Sequence, residues 1–210
     1  MTKFVAGFDP GGEGNFGWCL FELTDLFELV DLSVAIDKIV IDKSAIGAIG
    51  QGAVDCADQA FDKMKEHLTR KNGELVAAGI DVPLYWARTG NDRKSDKHVR
   101  NTSKAGSTVQ AANSLKGACL MQGFLLATRI EDEYPNCMIT ETHPKALLKM
   151  NDKEKKYEKI TCNEHERDAR ISAWAAAQCF RFGDKKNLFE CDQEEDIYIF
   201  LKKTMYWWPK

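Results

Sequence analysis

The first apolar run, Phe4 to Phe8, is too short for a helix and suits a buried strand. Pro10, Gly11, Gly12 and Gly14 then force a tight turn before a second apolar run, Trp18 to Leu23. Leu29 to Ile41 carries β-branched residues and predicts a third strand, so the opening reads as an antiparallel meander. From Ala53 to Leu68 the period changes. Val54, Ala57, Phe61, Met64 and Leu68 fall at helical spacing with Asp, Lys and Glu between them, which predicts an amphipathic helix crossing back over the sheet. Leu75 to Leu84 is a continuous apolar run that stops at Asp81, Val82 and Pro83, as a strand buried on both faces does.

The second half repeats this alternation. A long helix is predicted from Val109 to Glu133, then a short strand from Cys137 to Thr140 that ends at Glu141. Pro144 opens a short helix in a first-turn position, and Asn151 to Lys159 forms a charged, exposed connection. Asn163 to Phe182 predicts a last helix whose Ala-rich face allows close packing on the sheet. The tail, about 196–210, ends in Tyr206, Trp207 and Trp208, which suit either the cover of a sheet face or contact with a partner. Without internal repeats or a linker, residues 1–210 read as a single domain.

Composition narrows the class. A chain of 210 residues buries roughly 70% of its unfolded surface without staples. With 44% hydrophobic residues, 29% charged and a net charge of -3, neither disorder nor a generally basic nucleic-acid binder is indicated. The seven cysteines are scattered and never spaced Cys-x-x-Cys, which favours reduced thiols in a cytoplasmic protein and disfavours a structural zinc. The start lacks the apolar core of a signal peptide and no run approaches about 18 apolar residues, so no membrane association is expected.

The chemistry concentrates at strand ends. Asp9, Asp81 and Glu141 each close a predicted strand, and open α/β sheets bind ligands at the carboxyl ends of their strands. Asp168 adds a fourth carboxylate, three residues after His165 and so on the same helix face. Converging carboxylates raise one another's pKa unless a cation neutralises them, and hard oxygen ligands select Mg²⁺ or Mn²⁺. A pair of such ions can clamp the attacking and leaving oxygens of a phosphodiester. Each residue also has a structural reading: Asp9 and Asp81 as turn caps, Glu141 as a partner of Lys145 or a helix cap. Glu164 and Glu166 fit capping boxes with Thr161 and Asn163, whereas Asp168 lies too deep in its helix for a cap. Arg88, Arg93, Lys94, Lys97, Arg100 and Lys104 face only Asp92 and Asp96, a local excess of four positive charges. Such a segment can track a phosphate backbone, or be a solvated loop with an Arg93–Asp96 or Asp96–Arg100 pair.

The order of Asp9 in "GFDPGG", Asp81 in "GIDVPL", Glu141 to Pro144 in "ETHP" and a last helix bearing "HERDARISA" resembles a ribonuclease H-like fold. It resembles more closely a group described as predicted nucleases of that fold, in which a "GID-x-P" strand end, an Arg-rich segment and an "E-x-x-P" turn recur; Arg93, Asp96 and Arg100 match its Arg-x-x-Asp-x-x-x-Arg run. His165, Asp168 and Ala169 are similar to the last motif of Holliday-junction resolvases. The resemblance spans Phe4 to Phe180 and implies an α/β fold with a five-stranded mixed sheet flanked by helices, its first, fourth and fifth strands adjacent. It implies a metal-dependent hydrolase of DNA or RNA: Asp9 as the bridging carboxylate, Asp81 and Asp168 as metal ligands, Glu141 as a ligand or a group that orients water, and His165 assisting proton transfer. Two features depart from the pattern. The crossover helix offers Asp55, Asp58, Asp62 and Glu66 without a clear match, and the turn "DPGGEGNFGW" resembles the phosphate loop of actin-like ATPases and sugar kinases. Two rival functions therefore stay open: an actin-like ATP-binding phosphotransferase, although such enzymes use two copies of the fold, and a catalytically silent adaptor that binds a partner through its "YWW" tail.

Overall fold

Strand β1 (Thr2–Asp9) is buried from Phe4 onward and carries the sheet's organisation, with β2 (Phe16–Glu22) antiparallel on one side and β4 (Gly73–Ile80) parallel on the other. The computed structural model describes residues 1–27, 29, 31–41, 47–88, 92–104, 117–150, 163–183, 187–192 and 197–209. Beyond β2 lies β3 (Gly50–Val54), antiparallel to it; beyond β4 lie β6 (Met138–Glu141) and β8 (Met205–Tyr206), both parallel. The result is a mixed six-stranded sheet in the order β3-β2-β1-β4-β6-β8. A separate ribbon pairs β5 (Tyr85–Ala87) with β7 (Ile197–Ile199).

Helices cover both faces. On one, α3 (Ala57–Lys71) buries Ala57, Ala60, Phe61, Met64 and Leu68, and α5 (Gly117–Glu133) adds Leu126, Ala127 and Ile130. Ridge residues three and four apart produce this face, as their spacing predicts. On the other, α7 (Glu164–Phe182) lies directly on β1, β2 and β4 with Ala169, Ala173, Ala176 and Ala177 turned inward. Its backbone touches the strands where they lack side chains. A Cβ on Gly7 would run into the Ala169 carbonyl oxygen, on Gly17 into the His165 carbonyl and on Gly79 into the Ser172 carbonyl.

The adjacency of the first, central and later parallel strands is as expected: Phe8 stands level with Ile80, and Ile80 with Glu141. The sheet has six strands rather than five, because the tail adds β8 beside β6. The described residues between 29 and 41 are not a strand. They form α2 (Leu32–Ile36), whose N-cap Asp31 accepts from the Val34 N–H at 2.9 Å, running into a π-helical turn over Asp37–Ile41. The buried Ala35, Ile36, Ile39 and Val40 follow a helical face, and that period outweighs their β-branched composition. The third strand is instead the glycine-containing β3, which shows no apolar alternation. The long helix is described from Gly117; its expected start at Val109 and the connection Asn151 to Lys159 lie outside the described residues. The remaining elements are short: α1 (Leu23–Phe27), α4 (Lys94–Ser103), α6 (Pro144–Met150) and α8 (Phe189–Asp192). Among the described residues, no helix is long and apolar enough to cross a membrane.

The glycine contacts can be tested by stability. Gly7→Ala forces a methyl into the α7 backbone and should cost about 3 kcal/mol or more, read as a lower urea midpoint. Gly12→Ala, in open space within the turn, should stay within about 0.5 kcal/mol of the parent.

Candidate functional site

Three carboxylates meet where β1, β4 and α7 come together. Asp9 is the last residue of β1, and Asp81 follows β4, its N–H donating to the Phe8 carbonyl at 3.0 Å. Asp168 arrives from the second turn of α7, fully buried. Burial raises all three acids. Asp9 is pushed up to about 6, the removal from water outweighing the hydrogen bond from His165, with the charge of Asp168 pushing the same way. Asp81 is raised well above the usual carboxylate range by burial and then by the charges of Asp9 and Asp168. Asp168 is raised by burial against the opposing pull of Arg167 and Lys145.

Cations compensate this cluster in part. His165 places Nδ1 2.6 Å from the Asp9 Oδ2, and this bond raises the imidazole pKa. Arg167 donates from Nε to the Asp168 Oδ1 at 2.7 Å, and the half-buried Lys145 holds its Nζ 3.9 Å from the Asp168 Oδ2. That Oδ2 is buried and accepts no hydrogen bond. A buried carboxylate oxygen left without a donor costs free energy, and a cation bound there would recover it.

Glu141, which ends the neighbouring strand, adds its charge to those that raise Asp81 but has partners of its own. Its Oε1 accepts from the Arg93 Nη2 at 2.5 Å and faces the His143 Nε2 at 3.0 Å; its Oε2 accepts from the Arg93 Nη1 at 2.8 Å and the Leu84 N–H at 3.0 Å. Burial would raise this carboxyl, but the charge of Arg93 and the bonds from His143 and Arg93 outweigh it and hold it at about 2. Arg93 also binds both oxygens of Asp96, at 2.6 and 3.0 Å. Asp96, Glu141 and His143 offer ligand atoms within 4.8 Å of one another, a spacing an ion could use. The Arg93 guanidinium already supplies the positive charge among them, so this group is a satisfied ion-pair network. His143 links the two sets, with Nδ1 3.7 Å from the Asp81 Oδ1.

Of the basic residues, Arg93 is therefore not part of a phosphate-binding surface: it is buried and fully engaged with Glu141, Asp96 and the Tyr85 carbonyl. Of the two expected pairings, Arg93–Asp96 forms, while Arg100 bonds to Asp92 instead of Asp96. Lys94, Lys97 and Lys104 are exposed on or just after α4, and Arg88 is exposed with its guanidinium 4.1 Å from the Tyr198 ring centre. Glu141 does not pair with Lys145, which turns to Glu164 and Asp168. The acids of α3 and just before it serve other ends: Asp58 and Asp62 bind Arg129 of α5, Glu66 pairs with Arg70, and Asp55 accepts from the Gly14 N–H at 2.9 Å. That last bond occupies one amide of the glycine turn. Asn163 caps α7 by accepting from the His165 N–H, while Thr161 lies outside the described residues. His143 was not singled out as a site residue in the sequence, and Lys145 only as a partner for Glu141, although both follow it within "ETHPK".

A family model described as a protein of unknown function, DUF429, matches residues 34–197. The chain belongs to the DUF429 family. Neither a curated protein nor a solved structure matches it. Asp81, Glu141, His165 and Asp168 lie within the DUF429 segment, whereas Asp9 precedes it on the strand between β2 and β4.

The Arg93–Glu141 pair yields a pH prediction for this DUF429 protein. A carboxyl whose pKa is depressed by folding stabilises above its unfolded value and loses that contribution as pH falls toward the folded value, here from about 4.5 toward about 2. Glu141→Gln leaves the Arg93 charge half paired and should cost about 3 to 5 kcal/mol at pH 7. In urea unfolding, the gap between parent and variant should narrow as pH is lowered from 5 to 3.

Proposed function

We propose that this chain is a divalent-metal-dependent nuclease of ribonuclease H-like fold, hydrolysing phosphodiester bonds of DNA or RNA. The observation that carries the reading is the buried Asp168 Oδ2, which accepts no hydrogen bond and lies beside Asp9 and Asp81 at the carboxyl ends of two parallel strands. Perturbed carboxylates gathered at a strand-end crevice are a mark of functional sites. The order β3-β2-β1-β4-β6, with β2 antiparallel in a mixed sheet, supports the ribonuclease H-like reading. Free thiols at Cys19, Cys56, Cys119, Cys137, Cys179 and Cys191 suit a cytoplasmic setting.

Asp9, Asp81 and Asp168 would hold Mg²⁺ or Mn²⁺, which supplies Lewis acidity to activate water and to stabilise the leaving oxygen. The chain's own groups order this site. His165 fixes the rotamer of Asp9, and Arg167 fixes Asp168 so that its Oδ2 stays directed at the cluster. Lys145, half exposed at the rim, offers an ammonium to an approaching phosphate. Glu141 orients His143 from beneath and takes no ion itself, because Arg93 neutralises it.

Asp168→Asn tests the reading through opposite signs in two conditions. Removing one of three mutually repelling acids should leave stability in chelator unchanged or higher. It should also abolish the Mn²⁺-induced stabilisation, which for an intact site reaches about 2.7 kcal/mol at a hundredfold excess over Kd. Hydrolysis of a labelled oligonucleotide should fall by orders of magnitude in parallel. A parent protein whose melting temperature ignores both Mn²⁺ and Mg²⁺ would sink the metal-site reading.

A further inference from the structure

Not every oxygen of Asp9, Asp81 and Asp168 is open to an ion. The Asp9 Oδ2 is engaged by the His165 Nδ1 at 2.6 Å, and the Asp168 Oδ1 accepts from the Arg167 Nε at 2.7 Å. The Asp81 Oδ1 faces the His143 Nδ1 at 3.7 Å. Among the described residues this leaves one unengaged oxygen on each acid, and the Asp168 Oδ2 is the most enclosed of them, buried without a hydrogen bond. Two ions about 3.5–4 Å apart need more than this, since a bridging carboxylate gives one oxygen to each ion and further ligands must complete both sides. The neighbouring acids do not supply them. Both oxygens of Glu141 are bound by Arg93, and Glu164, one turn before Asp168 on α7, is largely exposed with its Oε2 3.9 Å from the Lys145 Nζ.

A side-chain cation already stands beside these oxygens. The Lys145 Nζ lies 3.9 Å from the Asp168 Oδ2, and its charge opposes the rise in pKa of Asp9, Asp81 and Asp168 alike. Its reach therefore covers the whole cluster, whereas His165 bonds to Asp9 and Arg167 to Asp168. On α6 the flanking Pro144 and Ala146 are buried, so the backbone under Lys145 is fixed. The side chain itself is 44% exposed, which lets the ammonium turn from the acids toward a group arriving from water. An ammonium on a flexible stem is a compact charge with three donors, suited to the oxygens of a phosphate.

We infer that the site takes a single divalent ion, held by Asp9, Asp81 and Asp168, and that the Lys145 ammonium serves in place of a second ion by binding the phosphate oxygens on which charge gathers as the phosphodiester is cleaved. Lys145 gives up no proton in this role; it compensates charge from a position fixed beforehand. Arg93 fits the same division. By neutralising Glu141 it removes the acid that a second ion would otherwise use. The inference rests on the proposed metal-dependent hydrolysis and fixes two things within it, the number of ions and the side chain that touches the phosphate.

Ion count and lysine can each be read apart from hydrolysis. Calorimetric titration of Mn²⁺ into the intact, chelator-stripped chain should give one ion per chain. Lys145→Ala should also take one ion, bound at least as tightly, because a like charge beside it has gone. In saturating Mg²⁺, inorganic phosphate should raise the melting temperature of the parent and of Lys145→Arg but not of Lys145→Ala. Cleavage of a labelled oligonucleotide in Mn²⁺ should fall about 100-fold in Lys145→Ala and return in part in Lys145→Arg. Two Mn²⁺ per chain overturn the single-ion site and leave the nuclease reading standing. A parent indifferent to phosphate, or a Lys145→Ala that responds and cleaves as the parent does, overturns the role of the lysine. One ion and a phosphate response that needs Lys145, with no oligonucleotide cleaved by the parent, uphold the inference and remove the nuclease. A chain that binds no Mn²⁺ removes both.

Discussion

Everything at the candidate site depends on how closely α7 lies on the sheet. Gly7, Gly17 and Gly79, on three adjacent strands, let helix carbonyls descend into space that a side chain would fill elsewhere. That seating lowers Asp168 to the ends of β1 and β4 and sets His165 against Asp9. The same helix organises the segment after β2. Arg170, Trp174 and Gln178, four residues apart along one flank, donate to the carbonyls of Ile39, Leu29 and Leu26. The Ile39 carbonyl belongs to the π-helical turn, so Arg170 satisfies an acceptor in an irregular stretch, where the regular ladder is broken. One helix thus closes a core, positions two side chains of the site and ties down the least regular part of the chain.

Two groups of buried acids lie side by side and are treated oppositely. Arg93 neutralises Glu141 and Asp96, and the hydrogen bonds extend through the Tyr85 ring to Asp192, since the Tyr85 hydroxyl donates to that carboxylate at 2.6 Å. These bonds hold α4, β5, β6 and α8 together. Asp9, Asp81 and Asp168 receive less: the His165 imidazole at Asp9, the His143 Nδ1 3.7 Å from Asp81, a guanidinium contact and an ammonium at 3.9 Å. Neighbouring carboxyls are thus pushed apart in pKa, lowered for Glu141 and raised for Asp9, Asp81 and Asp168, and the division runs between β4 and β6.

The parts legible in the sequence were those in which one signal dominates. Apolar runs stopped by acids revealed β1, β4 and β6, and helical spacing revealed α3 and the last long helix. Their alternation ordered the parallel strands correctly, and with them the meeting of Asp9, Asp81 and Asp168. The helix at residues 32–36 was misread because Val34, Ile36, Ile39, Val40 and Ile41 favour strands by composition, while Asp31 as a cap and the buried face point to a helix. The partner of Glu141 was not legible for a different reason. Arg93 lies 48 residues away in sequence, and nothing local separates a buried ion pair from a solvated basic loop. The two-residue β8 was too short to carry a period at all.

Aromatic placement follows the same logic of partners. The Trp208 Nε1 donates to the Thr102 hydroxyl at 3.1 Å, and the Trp207 ring meets Trp174 edge-on at 5.3 Å, so the tail finds polar and aromatic partners on the sheet's flank and is enclosed. Tyr198 and Phe200, both half exposed, are partnered as well: the two rings lie 19° from parallel, and the Arg88 guanidinium sits 4.1 Å from the Tyr198 ring centre. Both loops that leave the acidic strand ends, at Pro10 and Val82, are packed by Gly123, and the next residue of that helix, Phe124, supports Phe200. A displacement of α5 would therefore move the loops that hold Asp9 and Asp81 together with the ring beneath the aromatic face. One packed helix thus touches both the loops at the acidic strand ends and the ring that Phe200 meets.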